Sequence, residues 1–111
     1  MGDRNTPDLL PGTLFMLILR ALSTGPLHGY AIVKRVREAS RDGIQIEDGS
    51  LYPALNRMLV KGWVKAEWGI SENNRKARFY HLTPEGKQHL EKEAAEFNQM
   101  VRAIQLVMRT A

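Results

Sequence analysis

The sequence predicts a mainly α fold with one small β-hairpin, an α+β chain of three short helices, the hairpin and a long closing helix. Three observations carry this. Apolar residues recur at helical spacing in three stretches between residues 13 and 62. Two alternating runs, Trp63 to Trp68 and Arg78 to Leu82, flank a polar segment rich in Ser, Asn, Arg and Lys. An uninterrupted heptad pattern then runs through Leu90, Ala94, Phe97, Val101, Ile104 and Met108.

The first twelve residues, with Gly2, Pro7, Pro11 and Gly12, read as an arm. Thr13 to Ser23 is the first helix, stopped by Thr24-Gly25-Pro26. It has two apolar stripes, one of Leu14, Leu17, Ile18 and Ala21, the other of Phe15, Leu19 and Leu22. A helix apolar on both sides needs cover on both, and the second cover is expected from another subunit. The second helix spans roughly His28 to Ser40, with Gly29, Ile32, Val33, Val36 and Ala39 inward and Lys34, Arg35, Arg37, Glu38 and Arg41 outward. His28 reads as a packing or capping residue at its start. Asp42-Gly43 turns the chain, and Ile44-Gln45-Ile46 alternates like a short strand.

Ser50 is expected to cap the third helix, with Pro53 inside its first turn and Gly62 at its end. Leu51, Leu55, Met58 and Leu59 point to the core. Asn73-Asn74 suits a turn, since Asn tolerates positive φ. Trp63 and Trp68 are expected to cover the core and the hairpin. Thr83 caps the last helix, Pro84 fits its first turn, and it runs to about Thr110. At ~1.5 Å per residue it is roughly 40 Å long, more than the first 83 residues can cover. The organisation expected is a body over 1–83 and a dimerisation helix over 84–111.

Composition narrows the function. The chain has 111 residues, ordinary apolar and charged content, and no cysteine, which excludes a disulfide framework, a thiolate nucleophile and Cys-based zinc sites. The longest apolar run, Leu14 to Leu19, falls far short of the ~20 residues that span a bilayer. Asp3 beside Arg4, without a long apolar stretch, does not fit a signal peptide. A cytoplasmic protein without membrane contact is expected. The net charge is +4, and residues 84–111 sum to zero, so the whole excess lies in 1–83. It clusters at Lys34, Arg35, Arg37 and Arg41, and at Arg75, Lys76 and Arg78. A basic part joined to a neutral part suggests polyanion binding and a separate second task.

Helix, helix, helix and basic hairpin is the plan of a winged helix-turn-helix. Its third helix enters the major groove of double-stranded DNA and its hairpin, the wing, flanks it. Opposite the buried face lie Ser50, Tyr52, Pro53, Asn56, Arg57 and, one turn on, Lys61. Asn56 can pair bidentately with adenine and Arg57 with guanine. Ser50 and Tyr52 suit phosphate oxygens at the helix start, although Tyr52 equally suits covering that start. Arg75, Lys76 and Arg78 are placed to neutralise phosphates or to reach the minor groove.

The stretches Leu27-His28-Gly29-Tyr30 and Gly49-Ser50-Leu51-Tyr52-Pro53-Ala54-Leu55 resemble the PadR family of bacterial transcriptional regulators. So do the run from Asn74 through Phe79-Tyr80-His81-Leu82-Thr83-Pro84-Glu85-Gly86 and the Pro11-Gly12-Thr13-Leu14 opening. The resemblance covers about residues 9–92 and is closest to the short subtype with one C-terminal helix. It implies a homodimeric repressor on a roughly palindromic operator, with each last helix packed against the partner, including its first helix. Phe15, Leu19, Leu90, Ala94, Phe97, Val101, Ile104 and Met108 are the interface residues expected. Family members sense phenolic acids or flat hydrophobic molecules, so a small effector of that kind is a candidate partner. The pore type uses an aromatic of the last helix, where this chain has Phe97 alone, a residue that reads as plain dimer core rather than as a pore wall.

Catalysis is not expected. His28, His81 and His89 sit on three different elements, and no phosphate loop, nucleophile elbow or paired acid and base is visible. No metal and no cofactor is expected. The competing reading is a winged-helix protein-interaction module whose heptad helix recruits a foreign partner. The basic wing and the polar front of the third helix favour DNA.

Overall fold

The computed structural model describes residues 12–110. The first helix, α1 (Thr13–Ala21), is shorter than expected, because Leu22–Thr24 tightens into a single narrower turn. Gly25 then takes φ 152°, a conformation that a side chain would oppose, and the chain reverses before Pro26. The arm expected over the first twelve residues lies outside the described residues, apart from Gly12.

Leu27–His28 forms a short strand, β1, that the alternation pattern did not reveal. The expected strand at Ile44-Gln45-Ile46 is absent. That segment is tied to the end of the second helix, α2 (Gly29–Ala39), by one hydroxyl. Ser40 Oγ accepts from the Ile44 N–H at 2.9 Å and donates to the Arg37 carbonyl at 3.1 Å. Arg41 and Asp42 turn with positive φ, and Ile46 plugs the core at 4% exposure. Its alternation reflects inward side chains on a turn rather than a ladder. At the other end of α2, His28 Nδ1 accepts the Ala31 N–H at 3.2 Å, the capping role expected of it. Ile32, Val33 and Val36 are buried, whereas Ala39, also expected inward, is exposed.

The third helix, α3 (Asp48–Lys61), starts two residues before Ser50. Glu47 occupies the cap position, and its carbonyl accepts from the N–H groups of both Ser50 and Leu51 at 2.9 Å. Ser50 is therefore not the cap. Pro53 lies inside the helix, not in its first turn, and leaves the exposed Gly49 carbonyl without its intrahelical donor. Gly62 closes the helix as expected, at φ 79°, with Trp63 N–H returning to the Met58 carbonyl at 3.0 Å.

The hairpin strands, β2 (Val64–Ile70) and β3 (Lys76–Leu82), reach farther toward the tip than expected. Their register runs from Val64↔Leu82 to Ile70↔Lys76, and β3 lies between β1 and β2 in an antiparallel sheet. The loop Ser71–Arg75 turns on Asn74 at φ 59°, with Ser71 N–H donating to the Arg75 carbonyl at 2.8 Å. Lys76 and Arg78 thus belong to a strand, and of the three basic wing residues only Arg75 sits at the tip.

The last helix is α4 (Pro84–Arg109). Thr83 Oγ1 accepts the Gly86 N–H at 3.0 Å and donates to the Gly62 carbonyl at 2.6 Å, which ties the end of α3 to the start of α4. Gly86 is buried against the backbone at the foot of the hairpin, and a Cβ there would overlap the Trp63 carbonyl and press on Leu82 Cδ1. Backbone cannot rotate away as a side chain can. Gly86→Ala is expected to destabilise the fold by about 2 kcal/mol or more, although alanine favours helices elsewhere. A thermal melt no lower than wild type would refute this.

The core joins Ile18, Leu19 and Leu22 to Ile32, Leu51, Leu55 and Met58, all at most 2% exposed. Leu90, from the start of α4, is also part of it. Phe15 meets Trp63 edge to face at 5.9 Å, and His89 stacks on Trp63 at 3.6 Å. The second stripe of α1 is therefore covered by the chain's own α4 and Trp63. This corrects two expected interface residues. Leu19 at 0% and Leu90 at 7% exposure are used within the chain's own core, so they offer a partner little or no contact surface. Trp63 does cover the core, but Trp68 is 66% exposed and lies outside it.

Candidate nucleic-acid interface

The packing of α3 determines which of its residues are free. Leu51, Ala54, Leu55 and Met58 face the core, so Ser50, Tyr52, Pro53, Asn56, Arg57 and Lys61 face solvent, as the helical spacing predicts. Asn56, Arg57, Val60 and Lys61 line one shallow depression. Among the described residues Arg57 and Lys61 form no ion pair, although Lys61 Nζ lies 5.2 Å from the Trp63 ring centre, so the Arg57 charge is the freer of the two to meet an anion.

The start of α3 is less suited to phosphate than expected. Ser50 is the third residue of the helix, and the exposed carboxylates of Glu47 and Asp48 stand at the terminus. Two negative charges there oppose an anion on the free N–H groups. Tyr52 does two things. Its hydroxyl lies against Gly29, where an added Cβ would come within 2.5 Å and push the Tyr52 ring outward. The ring is still 45% exposed. Burial, then Asp48 and Tyr80, push the Tyr52 hydroxyl above its ordinary pKa, so at neutral pH it remains a donor.

The wing carries its charge beside rings. Lys76 Nζ lies 5.3 Å from the Trp68 ring centre, and the Arg78 guanidinium 5.8 Å from that of Tyr80. Both are exposed, as is Arg75. Replacing Arg75, Lys76 and Arg78 together by alanine is expected to weaken binding to all DNA sequences alike. The log–log salt slope should flatten by about 0.9 for each phosphate no longer neutralised. A loss confined to the specific site would show instead that the wing reads bases.

Three features escape the sequence pattern. Tyr30 on α2 is 67% exposed, near Tyr52 across a surface pocket, and its signal in the sequence is an aromatic on the outward side of that helix. Trp68 is the second. The third is the breadth of the apolar stripe on α4. Besides Phe97, Val101, Ile104 and Met108, it includes Met100 and Val107 on the same flank. A stripe three positions wide is the pattern of a helix packed in a bundle rather than along a two-stranded seam.

The family model described as the transcriptional regulator PadR-like family matches residues 18–92. The chain belongs to this family. A PadR family transcription regulator from Clostridium difficile is 30% identical, over 87% of this chain and 99% of that one, with a TM-score of 0.76. Another from Eggerthella lenta is 31% identical over 90% and 85%, with a TM-score of 0.75. A 37.1 kDa protein of a Streptomyces fradiae transposon is 44% identical over 79 residues, and the chain spans 21% of its length. As a PadR-like regulator the chain is a DNA-binding winged-helix protein of transcription and not an enzyme. The matched segment contains α3 and the whole wing but ends before Phe97. No helix among the described residues is long and apolar enough to cross a membrane.

Proposed function

We propose that this PadR-like protein is a cytoplasmic homodimeric repressor that binds a roughly palindromic operator. On this reading residues 1–83 form the DNA-binding part and residues 84–111 the dimerisation helix. Asn56 and Arg57 read bases in the major groove. Tyr52, Lys61, Arg75, Lys76 and Arg78 hold the backbone, with Ser50 and Pro53 at the rim of the DNA-facing surface. The observation that carries the proposal is the stripe on α4. Phe97, Met100, Ile104, Val107 and Met108 are between 41% and 77% exposed on a helix that has left the body behind. The width of the stripe suits a partner's α4 packed together with the partner's first helix, to which the half-buried Phe15 would contribute, and Ala94 and Val101 border the stripe on α4. The proposed effector is a small hydrophobic or phenolic molecule. A groove of about 380 Å³ between α1 and α4, floored by Met16, Leu17, Leu82 and Leu90, supports that class.

The test is nuclease footprinting on the DNA upstream of the protein's own gene. Two half-sites related by two-fold symmetry, centred roughly 34–36 Å apart or a multiple of that, are expected. A single unsymmetrical half-site, with the protein monomeric in solution, would reject the dimer and favour a helix that recruits another protein.

A further inference from the structure

Alternation along the wing separates two faces of unlike chemistry. Val64, Ala66, Trp68 and Ile70 share one face with Lys76, Arg78, Tyr80 and Leu82. At the base this face is core, with Val64 and Tyr80 buried. Beyond Ala66 and Tyr80 the core ends, yet the face remains apolar. Trp68 is 66% exposed and Ile70 64%. Their cross-strand partners are Arg78 and Lys76.

The opposite face is internally satisfied. Glu67 pairs with His81 at 3.3 Å, and Phe79 lies on Gly69 and against His28 at 5.4 Å. At the tip, Glu72 approaches His28 at 3.7 Å. Carboxylates thus lie on that face or at the tip. The Trp68 face holds two cations, two large apolar side chains and no acid. It is also continuous with α3, since Tyr80 is close enough to Tyr52 to disfavour its ionisation.

From this we infer that the wing is a wedge: Trp68 and Ile70 enter the minor groove beside the site read by α3 and open it, while Lys76 and Arg78 hold the bordering phosphates. The occupant is duplex DNA because the apolar pair is bordered by cations alone and continues an interface that binds a polyanion. An acid-free rim around a tryptophan fits phosphate better than it fits a neutral protein surface. The minor groove of B-DNA is about 6 Å wide, too narrow for an indole and an isoleucine side by side on one ribbon. Entry therefore requires widening or a kink, as apolar wedges produce elsewhere. Such deformation is easiest at TA and CA/TG steps and hardest in A-tracts. The wing would then select flanking sequence through its flexibility, with no hydrogen bond to a base.

This inference rests on α3 lying in the adjacent major groove, and the experiment separates the two. Full-length protein is titrated against duplexes that vary independently in the operator (intact or scrambled) and in the flanking step (TA or A-tract). Energy transfer between dyes at the duplex ends reports bending. Wild type is expected to bend the TA duplex and to prefer it by about fivefold or more. Trp68→Ala and Trp68→Lys should lose both the bend and the flank preference, and keep the discrimination between intact and scrambled operator. The lysine variant adds a cation, so a wing that only attracts phosphates would bind as well as or better than wild type with its flank preference unchanged. That result, or wild-type binding without bend or flank preference, overturns the wedge. Failure to discriminate the scrambled operator, with the flank effect intact, would instead reject α3 as the reader and leave the wedge supported.

Discussion

The double variant Phe97→Asp, Val101→Asp is expected to sediment as a folded monomer. Both positions lie past Leu90, the last residue of α4 in the core, so the body does not need them. In the proposed dimer each appears twice, which places four carboxylates in an apolar interface. Leaving each unpaired costs about 1–3 kcal/mol, so association should weaken by about a thousandfold or more. A second effect follows. The C-terminal half of α4 has almost no cover from its own chain, and isolated helices of about 12–15 residues are marginal in water. Circular dichroism of the variant should therefore show lost helix, while the thermal transition of the body persists. An unchanged dimer would place the interface elsewhere. Complete unfolding would show that the body depends on its partner, contrary to the cover that Trp63 and Leu90 give α1.

Asn56→Ala and Arg57→Ala are each expected to lower operator affinity about tenfold or more and to change binding to random DNA much less. Both side chains are exposed on the front of α3, opposite Leu51, Leu55 and Met58. Both are bidentate groups, and one good bidentate pairing with a base discriminates by roughly 1–3 kcal/mol. Lys61, on the next turn of the same depression, presents a point charge and suits phosphate. Its removal should affect both duplexes alike. Competition titrations against cognate and scrambled duplexes decide the matter. Equal losses on both would show that Asn56 and Arg57 only hold the backbone.

The structure also revises how some of these residues are supported. Ser50 has the sequence signature of a helix start, because serine caps helices well and a leucine follows it. Glu47 takes that place because its carbonyl receives two N–H groups and the chain is already helical at Asp48. Glu47 is itself extended, at φ −82° and ψ 147°, so the switch to helix falls one residue before Asp48 and Ser50 is already within the first turn.

Periodicity by itself determined the order of the helices, the hairpin, the buried face of α3 and hence its solvent-exposed face. These are local properties: a side chain's direction on a helix follows from its spacing to its neighbours. Tertiary structure alone decided which apolar surfaces meet each other. Leu19 and Leu90 carry the same pattern as Phe97 and Ile104, yet the first two are consumed within the chain and the last two are left over. Spacing gives the direction of a side chain but not the distance to the next element. In the same way, Trp63 and Trp68 both begin as cover for the hairpin. Phe15 and His89 reach Trp63, whereas the core ends before Trp68, and only the fold shows where it ends.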